Sequence, residues 1–149
     1  MTRLFDDLDI RDVDIREGDI VVAHPDPSNN DPDINIVYVL VLIQSIHVAE
    51  CVLITRHMDL AIQRDIILGT EETGIDGDLV IHTLTGVDIP YSRLTERVGR
   101  VDGDVLDEII ATRYSAPTGK YRCGVKAHDG DPRADRIIRL YTNFRRFFD

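Results

Sequence analysis

Residues 36–43 read IVYVLVLI, an almost unbroken apolar run in a chain of 149 residues. A run this short, rich in β-branched residues and bounded by loop signals, predicts a central strand buried on both faces. The segments around it read as strands as well. Gly18-Asp19 opens a β-branched stretch from Ile20 to Ala23. Residues 47–55 form the next strand, ending in the polar stretch Thr55-Arg56-His57. Asp78 to Thr83 alternates as a strand, and Val87 to Ile89 reads as a separate short strand closed by Pro90. Between the first two strands, residues 24–34 (HPDPSNNDPDI) hold three prolines and two asparagines, which predicts a loop. Residues 58–67 fit a helical turn or an irregular edge, and residues 69–77 are turn-rich.

The C-terminal third changes character. Residues 103–112 (GDVLDEIIAT) read as an amphipathic helix that Asp102 or Asp104 can cap. Residues 113–132 are irregular, with a hairpin expected through Tyr121 to Val125. From Arg133 to Phe148, Ile137, Leu140, Tyr141, Phe144 and Phe148 recur as one stripe of a 3.6-residue period. That stripe is expected to pack on the body or on a second subunit. Thr2 to Arg16 reads as a short helix or an extended lead-in.

Charge follows the same division. The net charge is -10, from 27 acidic and 17 basic residues. Residues 111–149 carry nine basic and four acidic residues, leaving eight basic and 23 acidic before them. An acidic body thus carries a basic tail, which either meets an anionic partner or folds back on the body. No apolar run is long enough for a membrane span, and the acidic start does not resemble a secretory signal. Cys51 and Cys123 lack metal-ligand spacing, so two reduced thiols in a cytoplasmic protein are expected. His47, His82 and His128 show no paired spacing and predict no zinc site. The 24–34 loop lacks the order of a calcium loop, and no cofactor is expected.

The order of the pieces resembles the PemK/MazF-like family, toxins of the CcdB/Kid superfamily that act in toxin–antitoxin pairs. Gly18, Asp19, Ile20 and Val21 match its opening strand, and Thr55 matches the Ser or Thr that ends its third strand. Residues 73–109 carry its later pattern, with Ser92, Arg93, Leu94, Val98, Gly99 and Val101 on the expected positions. The resemblance covers roughly residues 17–110. It implies a mainly β fold, an SH3-like β-barrel over residues 17–112 with one or two C-terminal helices. Residues 1–16 would form a lead-in and 113–149 a basic extension. It also implies a homodimeric, metal-independent endoribonuclease acting on single-stranded RNA, with an antitoxin or another protein as partner.

Two residues carry the family chemistry, an arginine at the end of the first loop and the hydroxyl at the end of the third strand. Thr55 is the hydroxyl. No arginine or lysine occurs between His24 and Tyr38, where Asp26, Asp31 and Asp33 stand instead. At an effective dielectric of about 20, a unit charge 4 Å away is worth about 4 kcal/mol, so losing that cation matters. Arg56 on the phosphate, with His24 and His57 as acid and base, is the local replacement; solvated surface residues are the plain alternative. The sequence therefore carries two functional expectations: an endoribonuclease with a substituted site, or a non-catalytic protein-binding module on the same fold.

Overall fold

The computed structural model describes residues 15–25 and 36–148. The expected lead-in before residue 15 and most of the first loop, residues 26–35, lie outside the described residues. Seven strands form one antiparallel sheet: β1 (Asp19–Ala23), β2 (Val37–Gln44), β3 (Val48–Thr55), β4 (Ile66–Leu68), β5 (Leu79–Pro90), β6 (Leu94–Arg100) and β7 (Arg122–Cys123). Their order is β6-β1-β2-β3-β5-β4-β7. Among the described residues no pairing joins β6 to β7, so the sheet is open. Three helices accompany it among these residues, α1 (Thr70–Thr73), α2 (Gly103–Tyr114) and α3 (Ala134–Phe148).

The side-chain period of two sorts β2 and β3 onto two cores. Val39, Val41, Cys51 and Leu53 enter one cluster, where Phe144 of α3 is buried and Leu140 and Phe148 pack against it. Leu40, Leu42, Val52 and Ile54 enter the other, together with Val105 and Ile109 of α2. The central strand is therefore buried on both faces because a helix covers each one. The double burial stops at 39–42: Tyr38 is 46% and Ile43 38% exposed.

Local chemistry explains the ends of these elements. Asp102 caps α2, its Oδ1 accepting from the Val105 N–H at 3.0 Å. Asp19, fully buried at the start of β1, accepts from Arg100 Nε at 2.7 Å and from the Arg16 N–H at 2.8 Å. The carboxylate thereby ties β1 to β6 without an unmet charge. At the start of α3, Arg133 donates to Asp131 and to the carbonyl of Ala61, and Arg136 donates to Asp59 at 2.6 Å. Hydrogen bonds from Arg136 and Arg133 hold the carboxyls of Asp59 and Asp131, respectively, below the usual carboxylate range.

Several expectations are corrected. Residues 78–83 and 87–89 belong to one strand, β5. Its register against β3 jumps between Leu53↔His82 and Cys51↔Val87, a bulge that separates the two apolar stretches in the sequence. Thr85 fills the break: its hydroxyl donates to the His82 carbonyl at 2.7 Å and accepts from the Leu53 N–H at 2.9 Å. Residues 58–67 hold a 3₁₀ turn, Met58–Leu60, and the start of β4. The turn-rich 69–77 segment contains α1. The tail forms no hairpin of its own; β7 pairs with β4, and Val125 bridges Ile62. The pairing is long-range, and nothing in the local pattern of 121–125 specifies it.

With a layer of the core built from α3, Phe144→Ala is expected to destabilise the protein by about 3–5 kcal/mol. Urea denaturation followed by circular dichroism measures this. A loss under about 1 kcal/mol would mean that α3 is an appendage rather than a layer.

Candidate functional site

Thr55 is the last residue of β3, and Val80 of β5 lies opposite it. His82 is two residues further along β5, so its side chain emerges on the same face as that of Thr55. Ile66 of β4 lies opposite Ile81, which places Asp65, just before β4, beside His82. Three side chains from three segments thereby line up. Thr55 Oγ1 is 2.7 Å from His82 Nε2, and His82 Nδ1 is 3.1 Å from Asp65 Oδ2. His82 and Asp65 are fully buried, while Thr55 is partly exposed.

One direction of this chain satisfies the surrounding bonds. Asp65 Oδ2 accepts from the Ile62 N–H at 3.0 Å, and Thr55 Oγ1 accepts from the His57 N–H at 3.1 Å. With Asp65 as a carboxylate, His82 Nδ1–H donates to it. The neutral ring then leaves Nε2 to accept from the Thr55 hydroxyl. A hydroxyl that donates to an imidazole oriented by a carboxylate is the arrangement that activates an oxygen for proton transfer or attack.

Helix α3 closes the buried side. The Tyr141 ring lies edge-on to His82, with centroids 6.1 Å apart at 74°. Burial, and then the negative charge of Asp65, push its phenol well above the usual tyrosine value. Its hydroxyl and Asp65 Oδ1 are buried without a hydrogen-bond partner among the described residues. On the open side, Thr55 lines a cavity of about 840 Å³, with Tyr38, Arg56, His57, Asn143 and Arg146 also on its wall. Ile36, Val37, Ile75 and Leu79 make much of the remainder apolar.

The sequence candidates separate into two groups. Thr55, Arg56 and His57 line one cavity. Arg56 is exposed and donates through Nη1 to the Asp76 carbonyl at 2.9 Å. His24 is not brought to them: its Nε2 lies 2.9 Å from Thr95 Oγ1 on β6, and it is not part of the cavity wall. The expected His24/His57 acid–base pair is therefore not assembled. His82, Asp65 and Arg146 escaped the sequence reading. Their one local signal is polar residues, Asp65 and His82, abutting apolar strand positions. No three His, Cys, Asp or Glu side chains form a metal set among the described residues. Burial raises the Cys51 thiol far above its ordinary value, so it is a core residue and not a nucleophile.

The fold and site together describe a mainly antiparallel β protein in which a buried Asp–His pair addresses a threonine hydroxyl at a cation-edged cavity. No protein-family model matches the chain, and no curated protein matches it. No helix among the described residues is long and apolar enough to cross a membrane.

Replacing Asp65 by Ala removes the acceptor for His82 Nδ1–H and for the Ile62 N–H and is expected to cost about 1–3 kcal/mol. Tyr141→Phe deletes a buried hydroxyl without a partner, so it should be neutral within about 1 kcal/mol. Thermal unfolding of the two variants checks the contrast; equal losses would contradict the hydrogen-bond assignment.

Proposed function

We propose that this chain is a divergent PemK/MazF-like protein that cleaves single-stranded RNA without a metal. The hydrogen bond from Thr55 to His82 carries the reading, because it supplies a base at the strand end where that family keeps a hydroxyl. The Gly18–Val21 strand with its buried Asp19 and the Ser92–Val101 pattern support the same relationship. So does the cavity, which combines cations, an exposed tyrosine and apolar walls, a setting suited to a nucleotide.

In this reading the substrate 2′-hydroxyl gives its proton to Thr55 Oγ1 as the Thr55 proton passes to His82 Nε2. Asp65 stays ionised and stabilises the imidazolium. The 2′-oxygen attacks phosphorus, the bond from phosphorus to the 5′-oxygen breaks, and protonated His57 gives the leaving oxygen its proton. The products are a 2′,3′-cyclic phosphate and a 5′-hydroxyl. Arg56 and Arg146, both on the cavity wall, are the cations this reading assigns to the charge that grows on the phosphorane. Arg146, from the tail, takes the place of the missing loop arginine.

The test is cleavage of a mixed-sequence single-stranded RNA in EDTA, with product ends identified by mass spectrometry. Thr55→Val and His82→Gln should each lower the rate by about 10²-fold or more. Cleavage that survives both changes would contradict the site. No cleavage by the wild-type protein at any salt concentration would leave the protein-binding module as the better reading.

A further inference from the structure

Helix α3 carries more charge than its packing uses. Arg133 and Arg136 are held by Asp131 and Asp59 at the N-terminal end. Arg139, Arg145 and Arg146 are exposed and make no ion pair or hydrogen bond among the described residues. Acidic partners, one from the body and one from the tail itself, therefore neutralise only the first part of the helix. The distribution is also directional. Arg139, Asn143 and Arg146 recur at i, i+4 and i+7, which places them on one face. Asn143 and Arg146 lie on the cavity wall. Seven residues at about 1.5 Å each carry that face about 10 Å away from the cavity.

A polyanion approaching this protein meets repulsion over most of an acidic surface and attraction along this face. The cavity end of the face shares the cavity wall with Tyr38, an exposed tyrosine whose ring gives a base a surface to stack on. Cations in line beside an aromatic ring fit a nucleic acid strand better than an acidic peptide, which has no flat rings to place.

We propose that the Arg139–Asn143–Arg146 face of α3 is a track for the backbone of a single-stranded nucleic acid. It leads the strand into the Thr55 cavity and sets a base against Tyr38. The track deepens the ribonuclease reading and rests on it for what happens to the strand, but binding is measurable without cleavage.

Fluorescence anisotropy of a labelled 2′-O-methyl oligonucleotide, which has no free 2′-hydroxyl to react, reads the binding across a salt series. Arg139→Gln and Arg146→Gln should each weaken it by roughly two- to fivefold. Each should also flatten the plot of log affinity against log salt by about 0.7. Arg→Lys at either position should restore the slope, and melting temperatures should not move. Absent binding, an unchanged slope in both Gln variants, or binding of an oligoglutamate peptide in place of the oligonucleotide would overturn the track. Binding that meets these expectations while unmodified RNA stays intact supports the track and contradicts the cleavage reading.

Discussion

Burial of the 39–42 segment of β2 on both faces is the constraint from which the other features follow. Alternate side chains feed two separate cores, and neither can stay dry without a covering layer. One layer is α2, which follows the last long strand and starts at a well-formed cap. The other is α3, whose apolar stripe reaches back across the sheet from the end of the chain. Packing the stripe onto that face sets Tyr141 against His82 and brings Asn143 and Arg146 to the Thr55 cavity. The basic tail is thus part of the core and part of the site at once.

The site depends equally on strand register. Thr55, His82 and Asp65 meet because β3 pairs with β5 and β5 with β4 in a particular register. A slip of one residue in either pairing would turn His82 to the other face. The bulge at Thr85 begins just beyond His82, and Arg113 of α2 helps fix it by donating to the Thr83 carbonyl at 2.9 Å. Fully buried Asp65 and His82 are tolerated because each has a partner, although Asp65 Oδ1 has none among the described residues.

The sequence foretold those features that depend on local pattern. The apolar run of β2, the strand ending at Thr55, the Asp102 cap and the α3 stripe are all periodic or local. His82 shows no paired spacing in the sequence, because its partners are a threonine 27 residues before it and an aspartate 17 before it. Such pairings follow from sheet register, which a single sequence does not display. Arg146 was legible as part of a basic helix and not as a neighbour of Thr55. Its position follows from which face of the sheet α3 covers. His24 shows the opposite error: a histidine at a strand end close to the site in sequence order, which the pairing of β1 with β6 sets beside Thr95.

The central claim is that the Thr55 hydroxyl donates to His82, which makes the imidazole its base. Nitrogen-15 NMR of the histidine ring reads this directly. The account predicts that in the resting protein near neutral pH the His82 proton resides on Nδ1, facing Asp65, with Nε2 unprotonated and its resonance shifted by Thr55→Val. A ring protonated on Nε2, with Thr55 only an acceptor, would contradict it.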